Sequence, residues 1–239
     1  KQNKKYFNKI KHVMAGGMQM TDQDLKKYFE FFPNTKVTNF YGCTENSPRI
    51  SHFTINKFSA KKYNIWPVGK PLRGVKIKII KKINKIGKIF ISGSSLMRGY
   101  FREKIITNTK FNSGWFNTGD LGYFDNNKNL ILTGREDDSF RVGHEKLCPE
   151  EIESILKGKF QNIEMIVSKI KNNVLQWEPV LVINRKKNNL DSLKLKKILF
   201  NDLSNFKIPK KIYHLKSFPR TSYGKYDRKK IYERIKKFR

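Results

Sequence analysis

After a charged opening stretch, Lys1 to Lys11, the first apolar run is His12 to Ala15, and it ends at Gly16-Gly17. A short apolar run closed by paired glycines predicts a strand that turns at its carboxyl end. Thr21 then precedes Leu25, Tyr28, Phe29 and Phe32, apolar positions three and four apart, so a helix capped by Thr21 and stopped by Pro33 is expected. Lys36 to Phe40 reads as the next strand and delivers Tyr41-Gly42 to its end. Strand, helix and strand, with loops at the strand ends, predict an α/β layer in which ligands sit at the carboxyl edge of the sheet.

From Val68 onward the texture changes. Val75, Ile77 and Ile79 alternate with polar neighbours, and Ile89 and Ile91 do so after Gly87, which predicts two strands. Leu121–Phe124 and Leu130–Leu132 flank Asp125-Asn126-Asn127-Lys128-Asn129, a hairpin with turn residues at its tip. This middle region reads as a small all-β subdomain. A third texture follows Asp138. Pro149 opens a helix through Ile152 and Ile155, with Glu150, Glu151 and Glu153 near its amino end, where negative charge suits the helix dipole. Ile163–Val167, Val180–Ile183 and Lys211–Leu215 read as strands, Leu193–Leu203 as a helix, and a last helix starts after Gly224-Lys225.

Composition narrows the classes. A hydrophobic share of 38% with 18 Phe and 10 Tyr suits a globular protein rather than a disordered one. The net charge of +31 would suit a nucleic acid or an anionic membrane surface. The basic residues are spread along the whole length, however, and no nucleic-acid-binding motif stands out, so the charge reads as a composition bias. The two cysteines, Cys43 and Cys148, and the four histidines have no metal-ligand spacing, and a disulfide framework is not indicated; a reducing cytoplasm fits. No apolar run approaches the roughly 18 residues of a membrane span.

The chemistry concentrates in four segments in fixed order: Tyr41-Gly42-Cys43-Thr44-Glu45, Gly114-Trp115-Phe116-Asn117-Thr118-Gly119-Asp120, Gly134-Arg135-Glu136-Asp137-Asp138, and Pro219-Arg220-Thr221-Ser222-Tyr223-Gly224-Lys225-Tyr226-Asp227-Arg228. Tyr41 offers a flat ring, Thr44 a hydroxyl able to bind a phosphate, and Glu45 an oxygen ligand for a hard cation such as Mg²⁺. The Asp120 carboxylate can accept two hydrogen bonds, as vicinal hydroxyls would give. Lys225 carries a compact charge on a long stem, able to reach a phosphoryl oxygen.

Together the four segments resemble the core motifs of the acyl-adenylate-forming enzymes: acyl-CoA synthetases, amino-acid adenylation domains and luciferases. The resemblance runs from Val13 to Arg228. It implies a fold in which the end of a large adenylation domain, an α/β layer with a small β-barrel-like subdomain, spans residues 1–137. A small mobile α+β domain carrying the catalytic lysine spans 138–239. It implies an AMP-forming acid ligase that activates a small carboxylic or amino acid with ATP and Mg²⁺. The acyl group then passes to the thiol of CoA or of a carrier protein's phosphopantetheine. The residue roles it implies are Lys225 as the catalytic cation, Gly16, Gly17, Asn39, Tyr41, Gly42, Thr44, Asp120 and Arg135 as the ATP/AMP-binding set, Glu45 as metal ligand and Asp137 as hinge.

Three departures from the family pattern stand out. A Gly-, Ser- and Thr-rich phosphate loop is missing, so the expectation is the C-terminal half of such an enzyme. The segment Arg141-Val142-Gly143-His144-Glu145-Lys146 places His144 where the family has glycine, and Lys88 replaces part of a usual Gly-Glu pair. A catalytically inactive remnant or partner-binding fragment of such an enzyme, and a basic nucleic-acid-binding protein, are the competing classes.

Overall fold

The computed structural model describes residues 9–56, 63, 65–83, 85–160, 163–184, 192–222 and 224–238. The chain divides into two compact units, Lys1–Glu136 and Asp137–Arg239.

The first unit begins with β1 (His12–Gly16), α1 (Asp22–Phe31) and β2 (Lys36–Gly42). The two strands pair in parallel with Ala15 opposite Asn39, as a helical crossover permits. Thr21 caps α1 reciprocally: its hydroxyl accepts from the Asp24 amide, and the Asp24 carboxylate accepts from the Thr21 amide. Leu25 is fully buried among Val37, Ile55 and Trp66, which contributes roughly 1.5–3 kcal/mol for such a side chain. The Trp66 indole donates to Asp22 in the first turn of α1 at 2.7 Å.

Two further strands complete this sheet in the order β1-β2-β3-β4: β3 (Arg49–Ile55) and the short β4 (Lys70–Pro71). The apolar pattern did not predict β3, because Ser51, His52 and Thr54 interrupt its apolar residues. An antiparallel sheet follows, built from β5 (Val75–Ile83), β6 (Ile86–Gly93), β7 (Phe111–Asn112), β8 (Trp115–Phe124) and β9 (Leu130–Arg135), with α2 (Lys104–Lys110) leading into β7. Its path is β5-β6-β8-β7, and β9 also pairs with β8. This is the expected β subdomain. Ile89, Ile91, Phe116 and Leu130 from it share one core with Tyr41, Ile50 and Val68.

The second unit opens on a hairpin absent from the sequence reading, β10 (Phe140–Val142) and β11 (Glu145–Leu147). Strands of three residues are too short to show a period. Gly143 and His144 form its link, with Gly143 at φ +60, the left-handed value a two-residue hairpin places at its first linking residue. Then come α3 (Pro149–Lys159), β12 (Met165–Asn172), β13 (Gln176–Asn184), α4 (Ser192–Asp202), β14 (Lys211–Leu215) and α5 (Arg228–Lys236). The central β13 pairs antiparallel with β12 and parallel with β14. Its alternation decides the packing. Leu181 and Ile183 join Ile152, Leu156, Leu195 and Leu199 of α3 and α4, while Val180 and Val182 join Ile231 and Ile235 of α5. Pro179 is tolerated in this strand because pairing with β14 starts at Val180, so the proline has β12 alone beside it. Among the described residues no helix is long and apolar enough to cross a membrane.

One polar cluster lies between α3, α5 and β12. The Arg228 guanidinium donates to both carboxylate oxygens of Glu153, at 2.8 and 2.7 Å, and to the Val167 carbonyl. Glu150 lies 3.4 Å away and Asp138 3.5 Å. Three carboxylates thus crowd one cation. Burial pushes the Glu150 carboxyl up to about 7; the Arg228 charge opposes this and the Glu153 charge adds to it. Its Oε2 is buried without a hydrogen-bond partner among the described residues.

A carboxyl whose folded pKa exceeds its unfolded one binds more protons in the folded state, so stability falls as pH rises from about 4.5 to about 7. Glu150→Gln removes this term. The variant should match the parent in chemical denaturation at pH 4.5 and exceed it by roughly 1–3 kcal/mol at pH 8. An equal difference at both pH values would place the buried proton elsewhere.

Candidate functional site

The carboxyl end of β2 is shaped by a close backbone approach. A Cβ on Gly42 would lie 1.7 Å from the Pro48 carbonyl oxygen, so only glycine can follow Tyr41 there. The strand slips register against β3 at the same point. Tyr41 itself is buried, and its hydroxyl donates to Asp120 Oδ2 at 2.5 Å. Burial, and next the Asp120 charge, hold this phenol well above its ordinary pKa, so it stays a donor. Asp120 stands on β8 directly opposite Arg135 on β9, and the guanidinium Nη1 is 3.4 Å from Asp120 Oδ1. Tyr41, Asp120 and Arg135, drawn from three separate motifs, therefore meet at one carboxylate.

Beside β2 and the helix α1 a cleft of about 410 Å³ is lined by Ala15, Gly16, Met20, Tyr28 and Asn39, among others. Gly17 follows at φ +80, turning the chain out of β1. Asn39 is 1% exposed. Its amide nitrogen donates to the Pro67 carbonyl at 2.9 Å and to that of Trp66 at 3.3 Å. Its amide oxygen is buried with no hydrogen-bond partner among the described residues. An acceptor without a donor at a cleft wall suits a ligand amino group.

Thr44 and Glu45 open a short 3-10 turn after Gly42. Glu45 Oε1 accepts from the Tyr100 hydroxyl at 2.7 Å and Oε2 from the Thr44 hydroxyl at 3.0 Å. Partial burial pushes this carboxyl up, but the bonds from Tyr100, its own amide, Thr44 and Cys43 outweigh it and leave the pKa below its usual value. The group is thus ionised, as a metal ligand must be. Sequence reasoning missed Tyr100, since its partner is 55 residues away and no local pattern joins them. No group of three or more His, Cys, Asp or Glu side chains is placed to hold a metal among the described residues. A magnesium ion held by one carboxylate together with substrate phosphates and water needs no such group. Burial, and then the Glu45 charge, push the Cys43 thiol up to about 12, so it offers no thiolate nucleophile.

The remaining predicted residues lie at the start and near the end of the second unit. Asp137 is its first residue, exposed in the turn between β9 and β10. Lys225 is exposed on the loop before α5. That loop folds back on itself: the Thr221 amide donates to the Lys225 carbonyl, the Gly224 amide to the Thr221 carbonyl, and the Asp227 amide to the Pro219 carbonyl, all at 2.8–2.9 Å. Gly224 sits at φ +77, a conformation costly for any other residue. Of the sequence departures, Lys88 forms an ion pair with Glu136, the last residue of the first unit.

Comparison with known proteins agrees with these motifs. Residues 1–101 match the AMP-binding enzyme family. The chain is 32% identical over 227 residues to the 2-succinylbenzoate–CoA ligase of Staphylococcus epidermidis, across 93% of this chain and 46% of that enzyme. Among solved structures it resembles the o-succinylbenzoate CoA synthetase of Bacillus subtilis in complex with its acyl-adenylate intermediate. That likeness has a TM-score of 0.81 and 28% identity, over 92% of this chain and 45% of that one. The same enzyme bound to ATP and a magnesium ion gives a TM-score of 0.79 at 28% identity, over 92% and 46%. The chain spans less than half the length of the curated relatives it matches. With the motifs in order and this likeness over nearly all of its length, the chain belongs to the acyl-adenylate-forming superfamily and corresponds to its C-terminal region.

Proposed function

We propose that this chain forms the C-terminal part of an ATP-dependent, AMP-forming acid ligase. A carboxylate oxygen of the acid attacks the α-phosphorus of ATP, the bond to the bridging oxygen breaks, and pyrophosphate leaves. The sulfur of a phosphopantetheine thiol then attacks the acyl carbon and AMP departs. The relatives' names support a carboxylic acid as substrate and CoA as the acceptor; a carrier protein's phosphopantetheine presents the same thiol.

The observation that carries this reading is the meeting of Tyr41, Asp120 and Arg135 at one carboxylate. An ionised carboxylate has about four lone-pair sites. Tyr41 on one oxygen and Arg135 beside the other hold the Asp120 carboxylate in place, and its oxygens would accept the two ribose hydroxyls. The buried Asn39 amide oxygen would accept the exocyclic amine of adenine, and Gly16, Gly17 and Gly42 let the base approach the backbone closely. Tyr41 presents its ring at the base, and Thr44 binds a phosphate oxygen. Glu45, held by Tyr100, would hold Mg²⁺, which neutralises phosphate charge when bound. Lys225 approaches the phosphoryl group in the adenylation step and stabilises the charge that builds there. Asp137, exposed at the junction, absorbs the backbone rotation that moves the second unit between the two half-reactions.

Two measurements on the full-length gene product test this. Lys225→Ala should slow ATP–pyrophosphate exchange by about 100-fold or more while leaving the denaturation midpoint unchanged, since the cation acts at the transition state from an exposed loop. Exchange at the parental rate would remove Lys225 from catalysis. Asp120→Asn keeps a carbonyl for the Tyr41 hydroxyl but loses the charge. AMP titration should therefore show affinity weakened by about tenfold, the weight of one charge-assisted hydrogen bond. Unchanged affinity would make Asp120 a turn residue that merely holds Tyr41.

A further inference from the structure

The loop that carries Lys225 is held by more than its backbone. Arg220 and Tyr226 face each other across it as a bridge pair, and the Arg220 guanidinium stacks on the Tyr226 ring at 4.3 Å. Arg220 Nη1 donates to the Gly224 carbonyl at 2.8 Å, one residue before Lys225. Its Nη2 donates to Glu164 Oε1 at 2.7 Å, and the Tyr226 hydroxyl donates to the same oxygen at 3.1 Å. Both sides of the loop thus converge on one carboxylate.

Glu164 is in turn rooted in the sheet. It immediately precedes β12, and its Oε2 accepts from the Asn184 side chain at 2.7 Å. Its backbone carbonyl accepts the Asn184 amide at 3.1 Å. Asn184 ends β13, one step beyond the Met165–Ile183 pair of the ladder. The Asn184 bond first, then those from Tyr226 and Arg220, hold this carboxyl below its usual pKa against some burial, so it is ionised at neutral pH. A single exposed ion pair has little energetic weight. Here its weight is geometric, because a catalytic cation misplaced by about 1 Å loses rate on the order of 100-fold.

We propose that Glu164 is a positioning residue: through Arg220 and Tyr226 it locks the Lys225 loop to the edge of the β12–β13 ladder and sets where the lysine stands. The inference rests on Lys225 being the catalytic cation.

The test compares Glu164→Gln, Glu164→Asp and Lys225→Ala with the parent. In hydrogen exchange on the chain, Glu164→Gln should raise the rates of the Thr221 and Gly224 amides by about tenfold while Val167 and Leu181 keep theirs. In pyrophosphate exchange by the full-length gene product, the same variant should lower kcat by about tenfold with KM for ATP within about twofold, and Glu164→Asp should recover most of the loss. Unchanged amide exchange would overturn the lock. A loosened loop with parental kcat, in an enzyme that Lys225→Ala silences, would overturn the positioning role and leave the catalytic reading standing. Parental kcat in Lys225→Ala as well would instead refute the catalytic reading, and with it the inference.

Discussion

The carboxylate of Asp120 ties together strands that the sequence keeps far apart. Tyr41 comes from 79 residues upstream on β2, and Arg135 lies directly across the ladder on β9. Tyr41 is 6% exposed and would bury an unsatisfied hydroxyl without this acceptor, at a cost of about 1–3 kcal/mol. The bond does more than satisfy the phenol. It fixes the end of the α/β sheet against the antiparallel sheet, where the core of Ile89, Ile91, Phe116 and Leu130 already joins Ile50 and Val68. The Leu130 carbonyl accepts the Val68 amide at 2.8 Å, which closes the same seam through the backbone. The position of the Gly42–Glu45 turn follows from that seam, and so does the region proposed to meet the nucleotide.

How much of this was legible beforehand depended on the distance between partners. Helix α1 was readable because its cap and its apolar stripe lie within a dozen residues of each other. Strand β14 was readable for the same reason. Strand β12 runs five residues past its reading, to Asn172, since Ser168, Lys169 and Lys171 break the apolar run that signals a buried strand. The motif residues could be named from sequence, but not their mutual contacts. Tyr41 with Asp120, Tyr100 with Glu45 and Arg220 with Glu164 are separated by 79, 55 and 56 residues. Such pairs follow from topology, and local pattern carries no trace of them.

Charge works in an uneven way in this chain. Lysine and arginine total 51 against 20 acidic residues, so a carboxylate easily finds a cation. The few carboxylates that are partly or largely buried therefore mark where geometry is fixed. Glu45 holds the turn after β2, Asp120 the seam, Glu153 with Glu150 the start of α5 through Arg228, and Glu164 the loop before it. Most basic residues stay at the surface, in keeping with a composition bias.

The Lys225 loop shows why that division matters for the proposed chemistry. A cation that must meet a phosphoryl group cannot also be held in an ion pair, because breaking the pair would cost part of the stabilisation it provides. Yet its stem must start from a fixed place. The loop meets both demands by giving the strong contacts to a neighbour. Arg220, whose planar fork can bind a carbonyl and a carboxylate at once, anchors the backbone. Among the described residues no carboxylate lies within ion-pair distance of Lys225. A lysine at position 220 would fail, because it lacks the fork to bridge Gly224 and Glu164. On the proposed role of Lys225, the motif thus sets a rigid binder, Arg220, at the base of the loop and leaves the reacting charge at its tip.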